Sequence, residues 1–129
     1  MEKRQGTITA PADLNIEEHE MNAARAIASS GIDVEFKPQS KGKRVKNADF
    51  IADGVLWEVK SPTSDNIRVV QKRIREAAHQ SRDIIFDSRR MKGLSNKRIQ
   101  DEVSKWAHNL HHVRRLLYIN RVGEVIKIK

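Results

Sequence analysis

The segment ADFIADGVLWEVK, residues 48–60, predicts a tight β-hairpin. Asp53-Gly54 lies between two runs rich in strand-forming residues, which is the strongest local signal for a two-residue turn. With these residues as the loop, the predicted cross-strand pairs are Ala52 with Val55, Ile51 with Leu56, Phe50 with Trp57, and Asp49 with Glu58. The predicted register therefore places two carboxylates directly opposite each other.

The opposed carboxylates, Asp49 and Glu58, project from one face of the predicted hairpin, and Lys60 projects from the same face because side chains alternate along a strand. Opposed like charges destabilise a hairpin by up to roughly 1 kcal/mol. A divalent cation held between them reverses that sign, since hard cations bind carboxylate oxygens. The alternative is a solvated hairpin end in which Lys60 neutralises one carboxylate. We favour the metal site.

The composition limits the class of protein. At 129 residues the chain is long enough to bury a core, and we expect a polar tail or linker over residues 1–11 and a single domain over residues 12–129. Cysteine is absent, which excludes disulfides, thiolate metal sites and a cysteine nucleophile. No apolar run reaches the length of a membrane span and no signal-peptide h-region is present. We therefore expect a soluble protein that acts in a cytoplasm, its own or another cell's.

The chain is strongly basic, with 25 Lys and Arg against 17 Asp and Glu, a net charge of +8 and a pI of about 10.0. Such a balance favours a polyanionic partner. The cations flank the hairpin on both sides, as a phosphodiester substrate requires: Lys37, Lys41, Lys43, Arg44 and Lys46 before it, and Arg68, Lys72, Arg73 and Arg75 after it.

The remaining pattern predicts helices and strands around this hairpin. The first helix runs from Asn15, a good N-cap, to Gly31, and Glu20 lies within its apolar stripe. The other predicted elements are a strand at 32–36, a basic loop at 38–46, a helix at 66–80, a strand at 83–87, a helix at 96–112, and a hairpin of 116–120 with 124–129. The first six elements follow the order helix, three strands, helix, strand.

In that order and in its motif the chain resembles the restriction-endonuclease-like nucleases. Those enzymes carry an Asp at the start of the second core strand and a Glu/Asp-x-Lys on the third, matched here by Asp49, Glu58 and Lys60. Many add a Glu from the first helix, here Glu20. Ala48 stands where a Pro often precedes the Asp. The resemblance implies an α+β fold with an α-β-β-β-α-β core and a mixed sheet, followed by a C-terminal helix and β-hairpin.

Short motifs between Asn15 and Arg90 carry a second resemblance: Glu20-x2-Ala23-x3-Ile27-x3-Gly31, Val34-Glu35, Asn47-Ala48-Asp49-Phe50-Ile51, Gly54, Pro62, Asn66-Ile67-Arg68 and Ile84-Ile85-Phe86-Asp87. In these the chain resembles the C-terminal toxin domains of CdiA proteins from bacterial contact-dependent growth inhibition systems. The resemblance implies a toxic nuclease, often a tRNase and in some relatives a DNase. It further implies delivery from a secreted or cell-surface protein into the cytoplasm of a target bacterium, and neutralisation by a cognate immunity protein, for which we expect an acidic surface. Similar segments are also grouped with the barnase/EndoU/colicin/RelE ribonuclease fold, the alternative fold.

Phosphodiester hydrolysis needs an activated water and neutralisation of the phosphate oxygens. We expect Asp49 and Glu58 to hold Mg²⁺ or another divalent cation, with Glu20 as a further ligand. Lys60 would orient the attacking water or stabilise the charged transition state. The expected nucleic-acid contacts are the hydroxyls and backbone N–H groups of Ser61 and Thr63, together with Lys72, Arg73 and Arg75.

Two other functions remain open from the sequence. A metal-independent ribonuclease would use the RNA 2′-hydroxyl as nucleophile with a histidine as general base or acid, and His19, next to Glu20, is the candidate. A non-catalytic nucleic-acid-binding module would use the basic surface alone. That module would not need Asp49, Glu58 and Lys60 on one face, so we favour the endonuclease.

Overall fold

A computed structural model describes residues 5–38 and 48–129 of the chain. The predicted basic loop lies outside the described residues beyond Pro38, as do its cations Lys41, Lys43, Arg44 and Lys46. The polypeptide forms two compact units, which meet in sequence between Trp57 and Glu58. We call Met1–Trp57 the first unit and Glu58–Lys129 the second unit.

The first unit contains a short strand, a helix and a hairpin. The strand β1 (Ile8–Thr9) pairs parallel with β2 (Val34–Pro38), and the helix α1 (Glu18–Ser29) packs against both. β2 pairs antiparallel with β3 (Ala48–Ala52), which pairs antiparallel with the first residues of β4 (Val55–Lys60). The buried side chains of this unit come from α1 and from one face of these strands: Ala23, Ala24, Ala26, Ile27, Ala28, Val34, Phe36, Phe50, Ala52 and Trp57.

The predicted hairpin is confirmed in both its turn and its register. Asp53 and Gly54 have φ values of 54° and 71°, as a type I′ turn requires at both central residues. The pairs Phe50 with Trp57, Ile51 with Leu56, and Ala52 with Val55 are formed as expected. Trp57 is 6% exposed and its indole nitrogen donates to the Ala52 carbonyl at 3.0 Å, so this aromatic residue belongs to the core.

The two ends of α1 differ in how well the sequence predicts them. Gly31 has a φ of 102°, a left-handed conformation that favours glycine and ends the helix where expected. The helix begins at Glu18, three positions after the Asn15 that the sequence favours as N-cap, and Glu17 is the N-cap without a side-chain hydrogen bond. The helix therefore begins close to its expected start, with Glu17 and not Asn15 as the N-cap.

The strand β1 lies inside the segment 1–11, for which the sequence predicts a tail. It is fixed by backbone and side-chain hydrogen bonds from the residues before it. Gly6 N donates to Ala28 O at 2.7 Å, Val34 N donates to Thr7 O at 2.8 Å, and Thr7 N donates to Asp33 Oδ1 at 2.8 Å. These bonds hold residues 6–9 against α1 and β2.

The second unit is built on parallel strands. β4 continues into it, and Glu58–Lys60 pair parallel with β5 (Asp83–Asp87), which pairs parallel with β6 (Arg115–Ile119). β7 (Val125–Lys127) returns antiparallel to β6. The helices α2 (Arg68–Gln80) and α3 (Asn96–Asn109) pack on each other and on these strands. Their shared core is fully buried and includes Val70, Ile74, Ile84, Phe86, Ile99, Val103 and Leu116.

Because β4 takes part in both units, the strands β1 to β7 are hydrogen-bonded in chain order in one mixed sheet. The predicted α+β class is confirmed, and the order α1-β2-β3-β4-α2-β5 matches the predicted α-β-β-β-α-β core. The predicted helix at 96–112 and the final hairpin are also present within a few residues of their expected bounds. Within the described ranges, none of the helices has the length and apolar content needed to cross a bilayer.

Candidate functional site

Glu58 and Lys60 lie together at the end of β4. Their register partners on β5 are Ile84 and Phe86, and paired residues of parallel strands share a face of the sheet. Ile84 and Phe86 belong to the core under α2, so Glu58 and Lys60 project on the side of the sheet that α2 covers. Lys60 Nζ lies 3.5 Å from Glu58 Oε2, and the two side chains are 20% and 26% exposed. The predicted carboxylate and lysine are therefore brought together, half-buried, within one unit.

The helix α2 adds two cations and a carboxylate to this pair. Arg73 Nη1 donates to Glu76 Oε1 at 2.6 Å. That hydrogen bond, opposed by partial desolvation and assisted by the charges of Arg73, Lys60 and Lys72, lowers the pKa of Glu76. The influence of Lys60 and Lys72 on one carboxylate means that the β4 lysine and the α2 cations share one electrostatic environment. We call Glu58, Lys60, Lys72, Arg73 and Glu76 the β4–α2 cluster.

A polar group without a partner lies next to this cluster. The hydroxyl of Ser61 is buried and makes no hydrogen bond within the described part of the chain. A buried hydroxyl in that state costs about 1–3 kcal/mol. Thr63 is exposed. The segment leads into α2, whose first turn has no acidic residue. The first N–H groups of α2 already have partners, since Arg68 N donates to Asn66 Oδ1 at 3.0 Å and Val69 N donates to Asn66 O at 3.0 Å. The Ser61 hydroxyl has none in the ranges that the structure describes and can donate to a phosphate oxygen.

Arg75 and Arg73 project from different sides of α2, although they are close in sequence. Its guanidinium lies 5.6 Å from the ring centroid of Trp106 on α3. Residues two apart on a helix differ by about 200° in direction, so Arg73 and Arg75 occupy nearly opposite sides of α2. Of the predicted phosphate contacts, Lys72 and Arg73 lie at the β4–α2 cluster and Arg75 lies against α3.

The first unit holds the other predicted site residues. Asp49 on β3 is partly exposed and is the register partner of Lys37 on β2. Glu20 and His19 lie in the first turn of α1. Asp49 and Glu20 belong to the first unit, and Glu58 belongs to the second. The opposition of Asp49 to Glu58 stays a prediction.

A second group of possible metal ligands lies at the start of α1. One ligand atom from each of Glu17, His19 and Glu20 falls within 4.8 Å of the others. His19 Nδ1 lies 3.3 Å from Glu17 Oε2, and the His19 side chain is 28% exposed. Two carboxylates and an imidazole can bind a divalent metal. The same imidazole–carboxylate contact can also orient a histidine for proton transfer.

Glu76 is the residue of the β4–α2 cluster that the sequence analysis missed. It lies one turn after Lys72 and Arg73 on α2, and a carboxylate three or four residues after a cation is a recognisable pairing signal. The spacing of Arg73 and Glu76 along α2 is the signal that identifies this carboxylate as the partner of the cation.

Comparisons with known proteins agree with this architecture. The family model described as the contact-dependent growth inhibition CdiA C-terminal domain matches residues 46–125. Among solved structures, the chain is similar to one from Burkholderia pseudomallei, titled a CdiA-CT/CdiI toxin and immunity complex. The TM-score is 0.66 and the identity 15%, over 96% of this chain and 99% of that one. At this identity the likeness shows the fold. No curated protein sequence matches the chain significantly.

Proposed function

Because the chain belongs to the family of contact-dependent growth inhibition CdiA C-terminal domains, we propose that it is a toxic endonuclease that hydrolyses phosphodiester bonds of nucleic acid. We propose tRNA as the favoured substrate and DNA as the second choice. The strongest support is the β4–α2 cluster. It contains the half-buried Glu58–Lys60 pair. The hydrogen bond from Arg73 and the charges of Arg73, Lys60 and Lys72 all lower the pKa of Glu76.

The composition of this cluster suits phosphoryl chemistry. It contains three cations and two carboxylates, and Lys72 is exposed to solvent. A phosphodiester gains negative charge on its oxygens as it is attacked, and fixed cations stabilise that charge most strongly where water is partly excluded. Lys60 is only 20% exposed, so its ammonium group meets that condition. A purely structural ion pair would not need the additional cations.

The proposed metal ligands are carboxylates, which are suited to a hard divalent cation. Asp49, Glu58 and Glu20 offer oxygen ligands of the kind that Mg²⁺ prefers, and these residues are our proposed metal ligands. A bound cation would lower the pKa of a coordinated water and polarise the phosphate. His19 and Glu17 beside Glu20 would widen the choice toward Mn²⁺ or Zn²⁺, since imidazole is a ligand of softer metals.

The residues of the chain itself carry the remaining roles. Lys60, held 3.5 Å from Glu58, would donate to the attacking water or to a phosphate oxygen. The Ser61 hydroxyl, which has no partner among the described residues, would donate to the same phosphate group. Arg73 and Lys72 would bind the neighbouring phosphates, with Arg73 exchanging its bond to Glu76 for a phosphate oxygen.

We also propose that a cognate immunity protein neutralises the chain. The support is family membership together with the Burkholderia pseudomallei structure, whose title names a toxin and immunity complex. A partner for a chain of net charge +8 would present an acidic surface. The site of action would be the cytoplasm of a target bacterium, after delivery from a cell-surface or secreted protein.

A second candidate function has one observation in its favour. The contact of His19 with Glu17 at 3.3 Å is the kind of pairing that fixes an imidazole for general base catalysis. A metal-independent ribonuclease built on His19 would cleave RNA only, because it needs the 2′-hydroxyl as nucleophile.

The test compares substrates and metal. The full chain is incubated with total tRNA and with plasmid DNA, in Mg²⁺ or in excess EDTA, next to the variants Asp49→Asn and His19→Ala. We expect tRNA cleavage that requires Mg²⁺ and Asp49 and survives His19→Ala. Cleavage that persists in EDTA and in Asp49→Asn, and is lost in His19→Ala, would transfer the function to the second candidate. Absence of cleavage in both polymers would leave a nucleic-acid-binding module.

A further inference from the structure

The second unit has a pocket at the ends of its two long helices. The pocket has a volume of about 620 Å³ and is lined by the last residues of α2 and by the residues that follow α3. Ala78 and Leu110 supply apolar surface, and His79, His111 and His112 supply three imidazoles. Such a volume is within the usual range for small-ligand sites. The β4–α2 cluster does not include any of these residues.

A line of basic side chains runs along α2 between the β4–α2 cluster and this pocket. Arg68, Lys72, Arg75 and His79 are exposed and follow one another at helical spacings of four, three and four residues. Residues with these spacings lie on one face of a helix. The line extends for about 16 Å along α2. Lys72 belongs to the β4–α2 cluster, and Arg75 and His79 line the pocket.

The pocket itself is better suited to a flat, neutral ring than to a phosphate. Both α2 and α3 end beside it, and the carbonyl ends of helices repel anions. Imidazole and guanidinium planes stack on nucleobases, and apolar side chains accept the opposite ring face. Arg75 already lies over the Trp106 ring at 5.6 Å, so its guanidinium plane is held in place. Arg68 and Lys72 lie outside the pocket lining and Arg75 belongs to it. As exposed cations, all three can bind phosphates.

We propose that the pocket formed by His79, His111 and His112 binds one unpaired nucleobase of the substrate, while Arg68, Lys72 and Arg75 hold the phosphates that lead to it. The proposal rests on the proposed function, in which the substrate is a nucleic acid. It narrows the substrate class to single strands or loops, because a base stacked within a duplex cannot enter the pocket. An acidic protein would meet the same cations but has no chemical need for a pocket of this shape.

The experiment measures binding, without cleavage, by fluorescence anisotropy in EDTA. The probes are a single-stranded RNA, a single-stranded DNA of the same sequence, the DNA duplex, and a set of RNAs with one abasic nucleotide at successive positions. The protein is the full chain, as wild type and as the double variant His111→Ala/His112→Ala. The matched control is His108→Ala, an exposed α3 histidine outside the pocket whose Nδ1 lies 2.8 Å from the Ser104 carbonyl.

We expect the wild type to prefer both single strands over the duplex, and one abasic position to weaken RNA binding by about fivefold or more. The double variant should bind the intact RNA as weakly as the wild type binds that abasic RNA, and should be insensitive to the abasic position. His108→Ala should behave as the wild type. Circular dichroism confirms that each variant is folded.

Three outcomes would overturn the proposal: equal affinity for single strands and duplex, no abasic position that stands out, or unchanged RNA binding in the double variant. These outcomes are separable from failure of the proposed function. A chain that shows the abasic effect but cleaves nothing retains the pocket and loses the nuclease.

Discussion

Two charged clusters of the second unit use similar residues for different purposes. Asp83, at the start of β5, is 3% exposed and accepts two hydrogen bonds from Arg114, at 3.2 and 2.5 Å, with Arg115 at 3.8 Å. We call these three residues the Asp83 cluster. In the β4–α2 cluster, Lys60 lies 3.5 Å from Glu58, the side chains are half-buried, and further cations are close.

The geometry distinguishes a structural ion pair from a candidate site. A paired, two-point contact between Arg114 and Asp83 uses the carboxylate fully and ties β5 to the chain before β6. The contact of Lys60 is longer, two more cations belong to the same cluster, and the Ser61 hydroxyl has no partner within the described residues. These donors can bind a phosphate. We therefore expect substitutions in the Asp83 cluster to change stability and substitutions in the β4–α2 cluster to change activity.

The largest expected effect is that of Glu58→Gln, which should lower activity with little change in stability. Glu58→Gln keeps the size of the side chain and removes its charge, so tRNA cleavage should fall by about 100-fold or more. The melting temperature should change by only a few degrees, because the side chain is 26% exposed and can be resolvated. Cleavage rates and thermal melts of the same preparation check this. A large fall in melting temperature with normal cleavage would make Glu58 a structural residue.

Asp83→Asn should show the opposite behaviour. The amide cannot accept the paired contact from Arg114 as a carboxylate does, and the residue is 3% exposed, so the melting temperature should fall by on the order of 5 °C or more. Cleavage at a temperature where the variant is folded should stay near the wild-type rate. The control is Asp101→Asn, whose partner Lys97 is 85% exposed. If both substitutions lower the melting temperature equally, burial does not make the Asp83–Arg114 pair more stabilising than the Asp101–Lys97 pair.

Ser61→Ala should have a smaller effect on cleavage, and it should not lower the melting temperature. The Ser61 hydroxyl is buried without a partner in the described chain, so its removal should leave the melting temperature unchanged or slightly raised. If the hydroxyl donates to a phosphate, cleavage should fall by about three- to tenfold, an effect of roughly 1 kcal/mol. A lower melting temperature with unchanged cleavage would show that the hydroxyl has a structural partner.

The smallest expected effect concerns Glu76. Its pKa lies below the ordinary value of 4.5, chiefly because Arg73 donates a hydrogen bond to it. A lowered folded-state pKa means that ionised Glu76 stabilises the fold above about pH 4.5, and that this contribution is lost as the pH falls through the folded-state pKa.

Melts of wild type and Glu76→Gln at pH 7 and at acidic pH check the sign. The wild type should be slightly more stable at pH 7, and the difference should vanish in acid. The difference in melting temperature at pH 7 should be at most about a degree or two, because the Glu76 side chain is 39% exposed and solvent screens its interactions. A difference that grows on acidification would contradict the assignment.

Local signals in the sequence were sufficient for much of this fold. Asp53-Gly54 determined the turn, and with it three cross-strand pairs, because a two-residue loop leaves a single register. The strand β5 and the glycine end of α1 were equally readable. The strand β1 was not, since its two residues carry no alternation and its position depends on bonds from Gly6 and Thr7 to residues far along the chain.

The candidate site was predictable in its residue types and less so in its grouping. Glu58 and Lys60 share a face because strands alternate, and the structure brings them together. The sequence groups Lys72, Arg73 and Arg75 as one basic patch, yet helical geometry separates Arg73 from Arg75. The guanidinium of Arg75 lies 5.6 Å from the ring centroid of Trp106 on α3. The histidine pocket depends on where two helices end together, which spacing along the chain does not reveal.

The most direct test of the account is the rate of tRNA cleavage by Lys60→Met and by Lys97→Met in Mg²⁺. Both lysines are paired with a carboxylate, but Lys60 is 20% exposed in the β4–α2 cluster and Lys97 is 85% exposed on α3. We expect Lys60→Met to slow cleavage by about 100- to 1000-fold and Lys97→Met to leave it unchanged. Equal rates for the two variants and the wild type would contradict the assignment of catalysis to the β4–α2 cluster.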